Sequence, residues 1–368
     1  MSCQRLRILT YTWHVGHQYE LFKLPHDFFL YRNEYSNQWQ ERIRPLPRSA
    51  EMIDRLDRRD FDLAILPFDE HVLTPQVGLS PMPAHWGRNF EWLLDWCREH
   101  DLPVIGLCHG TVPRIGRYRP EHPLPEADEI DVDVKQALVE QLRGCYVVCN
   151  SRQAHEEWGF DGRAIIHGFD PDEYPIGRRT EGVLTISGNL YTNGRYQGWD
   201  VFSECARAFP IDLLGGDRNR GSVSEGLRIN RVRVKRPRML PGQRFFRAGR
   251  VAWGRRTFVN YKRLIGEHAV YLNTTRFSPM PRARAEAMLC GLAVVSTGHY
   301  DFDRFVDHGE TGFIFRRAAE AIDLLRELLG SPSLAREIGL RGREAACDFF
   351  HISRYLAEWE ETLERRIA

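Results

Sequence analysis

The sequence predicts an α/β protein made of two doubly wound parallel sheets, and three observations lead there. Short, wholly apolar runs alternate with stretches whose apolar residues recur every three or four positions, the pattern of buried parallel strands joined by amphipathic helices. The alternation stops in a Pro- and Gly-rich segment, His167 to Gly177, and then restarts, as at a hinge between domains. The length of 368 residues suits two domains of ordinary size.

In the first half the apolar runs are Leu6 to Thr12, Asp62 to Pro67, Pro103 to Cys108 and Gly144 to Asn150. Each is rich in Ile, Leu, Val or Tyr and too short for a helix, so each reads as a strand covered on both faces. Helices are expected between them at Arg48 to Arg58, Asn89 to His100 and Asp133 to Arg143. After the hinge, strands are expected at Gly182 to Ser187, Ile211 to Leu214, Ala269 to Asn273 and Ala293 to Ser296. Helices are expected at Gly198 to Phe209, Val259 to Glu267, Arg282 to Cys290 and Ala318 to Leu329. The chain ends in helical sequence from Leu334 to Ile367, broken near Phe349 to Ser353; Ile352, Tyr355, Leu356, Trp359 and Leu363 form one apolar stripe of it. The division that follows is 1–170, 171–350 and a closing helix at 351–368. Open sheets of this kind bind ligands at the carboxyl ends of their strands, so the functional residues are expected just after strands, around a cleft shared by the two halves.

Composition removes several classes of function. With 42% hydrophobic and 27% charged residues the chain is neither disordered nor fibrous. Its apolar stretches, such as Cys145 to Cys149, fall far short of the ~20 residues of a membrane span, and the run after Arg7 is too short for a signal peptide; a cytoplasmic protein is expected. Eight cysteines without a CxxC pair argue for reduced thiols and no structural metal. Net charge is only +1, yet Arg218 to Arg263 holds fifteen basic residues against one acid, Glu225. Phe245, Phe246, Trp253, Phe258 and Tyr261 are interleaved with them. Such a segment suits a polyanionic partner, either a nucleic acid or a membrane-associated phosphate carrier. Interleaved aromatics also suit a buried strand and helix, and both readings stay open.

The stretch Val270 to Phe315 carries the chemistry. A strand leads into a Pro-rich loop, then a short helix that Gly291 closes as a C-terminal cap, then another buried strand. A carboxylate on that helix, Glu286, can accept paired hydrogen bonds from vicinal ribose hydroxyls, and backbone amides of the preceding loop can meet a phosphate.

Here a resemblance becomes specific. The run Glu286-Ala287-Met288-Leu289-Cys290-Gly291-Leu292-Ala293-Val294-Val295-Ser296-Thr297, followed by Asp307-His308-Gly309-Glu310-Thr311-Gly312-Phe313, resembles the signature of retaining GT-B glycosyltransferases of family 4 type. The resemblance implies a GT-B fold, two Rossmann-like domains facing each other across a cleft with C-terminal helices behind, and a nucleoside-diphosphate sugar as donor. It implies that Glu286 holds the donor ribose and that the position eight residues earlier, Ser278 here where the family has a second glutamate, meets the transferred sugar. Met280 and Arg282 fall in the same donor-binding stretch.

Val183 to Phe202 resembles the family's strand, Gly-rich turn and helix, whose Arg and Lys hold the diphosphate. The matching positions are Asn189 and Gln197. Arg195, assisted by Arg282 or Arg284, is the expected replacement, because a leaving diphosphate needs positive charge. In the first half, Gly16 lies in a loop resembling the family's donor-phosphate loop, and His109 matches its strand-end histidine near the sugar. His109 reads equally as an ordinary hydrogen-bonded loop residue. Ile165 to Asp170 resembles the family's domain junction. Neither a metal nor an organic cofactor is expected beyond the donor substrate.

The implied chemistry is transfer with retention, the leaving phosphate taking the acceptor proton. Inversion would need a base, for which His17, Asp27 and Asp69 are candidates. The acceptor is open between a polyanion, such as hydroxymethylated bases in DNA, and a glycan or lipid-linked molecule. With Asn189, Gln197 and Ser278 standing where the family has other polar ligands, a non-catalytic nucleotide-sugar-binding module also stays open. A dinucleotide-dependent enzyme is disfavoured, since no GxGxxG follows a strand with an acid ~20 residues on.

Overall fold

A computed structural model describes residues 5–41, 43–70, 85–114, 130–177, 181–187, 190, 194–214, 232–235 and 258–367. The first sheet has seven parallel strands: β1 (Arg7–Thr10), β2 (Asp27–Tyr31), β3 (Ala50–Ile53), β4 (Leu63–Phe68), β5 (Val104–Cys108), β6 (Tyr146–Cys149) and β7 (Gly162–Ala164). They lie in the order β3-β2-β1-β4-β5-β6-β7. The second has six: β8 (Val183–Ile186), β9 (Ile211–Leu214), β10 (Val232–Lys235), β11 (Val270–Asn273), β12 (Ala293–Thr297) and β13 (Phe313–Phe315), in the order β10-β9-β8-β11-β12-β13. Both orders reverse direction beside their first strand, between β1 and β4 and between β8 and β11. Those switch points are where carboxyl-end loops diverge and leave a crevice.

The central strands are apolar throughout because helices cover both faces. Every residue of β4, β5, β11 and β12 is buried, and a parallel sheet with two covered faces has no polar side. Pro67 sits inside β4, but β1 pairs with that strand only through Leu63 and Ala64, so the missing N–H falls past the end of that ladder. Besides a single helical turn at Gly194–Gln197, the described helices are α1 (Val15–Leu21), α2 (His85–Glu99), α3 (Val132–Gln141), α4 (Arg152–Trp158), α5 (Trp199–Ala208), α6 (258–265), α7 (Arg282–Leu289), α8 (Ala318–Gly330), α9 (Pro332–Phe349) and α10 (Ile352–Ile367). Helix α7 ends at Gly291, whose φ of 78° is the left-handed cap that its sequence announces.

The fold is GT-B in architecture, as the sequence leads one to expect, with one element of the wrong type. The segment expected as a helix at Arg48 to Arg58 contains β3, paired with β2 through Phe28↔Ala50 to Tyr31↔Ile53, and a single 3-10 turn at Arg58–Asp60. Met52, Ile53 and Leu56 have helical spacing, but the ladder offered by β2 outweighs that local preference. Strands β2, β7, β10 and β13 are additional to those expected. The closing helix α10 buries Tyr355, Trp359 and Leu363 in one cluster with Ile8, Leu63 and Ile105 of the first sheet. The chain thus returns from the second sheet to the first. Among the described residues the cysteines are free, and all but Cys347 are buried; no helix is long and apolar enough to cross a membrane.

Candidate functional site

A cleft of about 660 Å³ opens between the carboxyl edges of the two sheets. Its walls come from residues just after strands: His14, Gly16 and His17 after β1, His109 after β5, Asn150 after β6, Ser187 after β8, and Thr275, Ser278, Met280, Arg282 and Glu286 after β11. Six residues singled out in the sequence, Gly16, His109, Ser278, Met280, Arg282 and Glu286, therefore line one cavity, and so does Gln197. Asn189 lies outside the described residues. So does the side chain of Arg195, whose backbone belongs to a single helical turn at Gly194–Gln197. Gln197 accepts from the hydroxyls of Ser187 at 3.3 Å and Thr275 at 3.2 Å.

Glu286 projects from α7 and is 3% exposed. One carboxylate oxygen accepts from Arg44 Nη2 at 2.7 Å and the Tyr174 hydroxyl at 3.2 Å, and the other from the Tyr261 hydroxyl. Arg282 Nη2 lies 3.6 Å away. Burial alone would raise this carboxyl's pKa; Arg44, Arg282 and the two tyrosines outweigh it and hold the group below the usual range. Glu286 is thus a buried carboxylate that stays ionised. Arg44 comes from the first domain, and its guanidinium lies 3.5 Å from the Phe258 ring centre.

Arg282 and Arg44 are the two cations among the described residues that line the cleft. Arg282 Nη2 donates to Glu20 at 3.2 Å and the same guanidinium lies over Phe169, while Nη1 is buried without a partner. Gly16 lets it approach, since a Cβ there would lie 3.2 Å from Arg282 Nε. Arg284, named as an alternative helper, is corrected to a structural role. It donates to the carbonyls of His299 and Tyr300 and packs on Phe302, away from the cleft, because two positions along a helix from Arg282 is the opposite face.

The first-domain wall is a group of imidazoles. His17 lies 3.8 Å from His167 and 4.3 Å from His109 between ring centres, and His14 lies 5.2 Å from His109. Asn150 bridges His109 and His167 at 3.3 Å each. Burial, reinforced by Arg282, keeps His109 and His167 well below the usual histidine pKa, so this wall is uncharged at neutral pH. Among the described residues no cluster of His, Cys, Asp or Glu has the arrangement to hold a metal.

Of the three base candidates, His17 lines the cleft. Asp27 does not: it starts β2 at the opposite, amino edge and pairs with Arg5. Asp69 follows β4 without lining the cavity. Most of the basic segment 218–263 lies outside the described residues, but its last part points inward. Phe258 is 5% and Lys262 7% exposed, so at this end the interleaved aromatics are core packing. Arg44, Tyr174, Asn150 and His167 were not singled out in the sequence, and Tyr261 was named only among the aromatics of the basic segment. Asn150 directly follows a strand and was within reach of that rule, whereas Arg44 sits in irregular chain with no periodicity to mark it.

Comparison with known proteins agrees with this fold. Residues 231–361 match the family described as glycosyl transferase-like. Anabaena HepE, solved with UDP and glucose, superposes with a TM-score of 0.66 at 15% identity, over 98% of this chain and 100% of that one. Sucrose-phosphate synthase from Thermosynechococcus elongatus gives 0.66 at 14%, over 98% and 99%. A glycosyltransferase from Rickettsia africae gives 0.62 at 12%, over 99% of each chain. No curated protein matches the sequence.

Proposed function

We propose that the chain is a GT-B glycosyltransferase that moves a sugar from UDP-glucose or a related UDP-sugar to an acceptor hydroxyl, with retention at the anomeric carbon. The observation that carries this is the pairing of Arg282, with a buried donor unsatisfied, and Glu286, an ionised buried carboxylate, on one turn of the helix that faces the cleft. A nucleoside diphosphate presents the complement: a charged diphosphate for the arginine and a ribose diol for the carboxylate. HepE shares the fold and was solved with UDP and glucose, which makes UDP-glucose the first donor to test.

In the reaction, the bond from the anomeric carbon to the β-phosphate oxygen breaks and the acceptor oxygen takes its place. Arg282 offsets the charge that grows on the phosphate, an effect on the order of 3 kcal/mol for one well-placed donor. The uncharged imidazole wall accommodates the sugar. Retention is favoured because the candidate bases on the cleft wall are weak: Glu286 is tied to two arginines and two tyrosines, and burial holds His17 well below the usual histidine pKa. The departing phosphate, on the acceptor's own side of the sugar, is left to take the proton.

Thermal unfolding with UDP and UDP-sugars tests the donor. Ligand at one hundred times its Kd stabilises the folded state by about 2.7 kcal/mol, roughly 5–10 °C for a domain of this size. NMR of the product's anomeric configuration tests retention. No shift with any nucleotide sugar overturns the donor reading; a shift without UDP release under any acceptor leaves a binding module. For the acceptor, the charge of segment 218–256 favours an anionic molecule, with hydroxymethylated DNA bases as the candidate. A salt-sensitive gel shift with duplex DNA supports this, and no binding at low salt removes it.

A further inference from the structure

We infer that Asn150 is a positioning residue which fixes the tautomer of His109, so that His109 meets the transferred sugar as a hydrogen-bond donor through Nε2. The inference rests on the donor-site reading above and concerns the sugar half of that site.

The sheet sets up the contact. Cys108 of β5 and Cys149 of β6 are register partners, so the residues that follow them, His109 and Asn150, leave the carboxyl edge side by side. Asn150 is 2%, His167 3% and His109 9% exposed. The amide nitrogen of Asn150 lies 3.3 Å from His109 Nδ1 and 3.3 Å from His167 Nε2. An amide NH2 has two hydrogens to give and accepts none, so each ring nitrogen facing it presents a lone pair. A neutral imidazole with one bare nitrogen carries its proton on the other: Nε2 in His109, Nδ1 in His167. The rings are neutral because they are buried, and because Arg282 and His14 beside them oppose a further positive charge.

His109 Nε2 is buried without a partner on a residue that lines the cleft, and it carries the hydrogen. Within a cleft that takes a nucleotide sugar, a sugar oxygen is the acceptor it lacks. The same tautomer denies His109 Nε2 the lone pair that a general base needs. Asn150 Oδ1 is also buried and unpartnered, which gives the sugar's hydroxyls an acceptor on a second residue of the same cleft.

The test separates this inference from the donor reading. Nitrogen-15 spectra of the histidine rings in the full chain, with His109 assigned by its loss in His109→Gln, read the tautomer directly, while UDP affinity reads the donor site alone. The expected result is an unprotonated Nδ1 and a protonated Nε2 in the wild type. Asn150→Asp substitutes a carboxylate that draws a proton onto Nδ1 and favours the charged ring. The acid limb of its kcat/KM profile is expected to move up by a pH unit or more, with UDP affinity within about twofold of wild type. Asn150→Leu, of similar size but without a donor, covers failure of the aspartate variant to fold; its His109 signal is expected to lose the single Nε2–H form. A wild-type His109 protonated on Nδ1, an unmoved acid limb in Asn150→Asp, or an unchanged tautomer in Asn150→Leu each overturn the inference.

Discussion

Glu286→Ala is expected to lower stability by about 3 kcal/mol and to abolish the thermal shift given by UDP. The first effect follows from burial. Arg44 and the carboxylate are each about 4% exposed in their side chains, and removing one partner of a buried pair leaves the other charge dry and uncompensated, at a cost of roughly 3–5 kcal/mol. The lower end applies, since the Arg44 guanidinium keeps its contact with the Phe258 ring. Apparent Tm should fall by about 6–12 °C. The second effect follows from the ribose, whose hydroxyls need carboxylate oxygens as acceptors. Those oxygens already receive Arg44, Tyr174 and Tyr261, so a ribose must replace one of these donors. Arg44 is the one of the three that reaches in from the other domain. Glu286→Gln keeps the shape and one acceptor, so it should lose less stability while still losing most of the UDP shift. Differential scanning fluorimetry of the three proteins with and without UDP checks both effects. A full UDP shift in Glu286→Ala would place the ribose elsewhere.

The same residue shows what a sequence conveys and what it withholds. The run from Glu286 to Thr297 announces its own local structure: a helix, a left-handed glycine at Gly291, then a strand apolar enough to be central. Its position just after a strand is enough to assign it to the cleft. Its partners are another matter. Arg44 is 242 positions away in sequence and lies in irregular chain, where no period reveals which way a side chain faces. Segment 48–58 fails for a related reason. A half-buried edge strand and an amphipathic helix can share apolar spacing over a few residues, and only the neighbouring strand decides between them. The imidazole wall is intermediate. His17, His109 and Asn150 each follow a strand of the first sheet, so their common edge is legible, but the bridging amide that joins His109 to His167 depends on side-chain packing that no spacing encodes.

Arg282→Ala is expected to reduce kcat by 10²–10³, the usual loss when one donor to a developing charge is removed. Two observations make Arg282 the residue to test. Its Nη1 is the arginine donor on the cleft wall left unpartnered at the end of the guanidinium, and Glu20, Glu286 and the Phe169 ring fix the rest of the group. A donor held so firmly loses little freedom when the phosphate arrives, which is what makes it effective as charge grows there. Arg282→Lys tests geometry against charge. An ammonium keeps the positive charge, but its three N–H groups radiate from one nitrogen and do not reproduce the planar fork that meets Glu20, Glu286 and the phosphate at separate positions. It should therefore recover UDP binding better than turnover, with KM near wild type and kcat still reduced at least tenfold. Folding is monitored by circular dichroism, because Glu20, 1% exposed, would retain Lys23 at 2.7 Å as its remaining ion pair. If Arg282→Ala folds and turns over UDP-sugar at the wild-type rate, the charge that stabilises the leaving group comes from another side chain, and Arg195 is the next to replace.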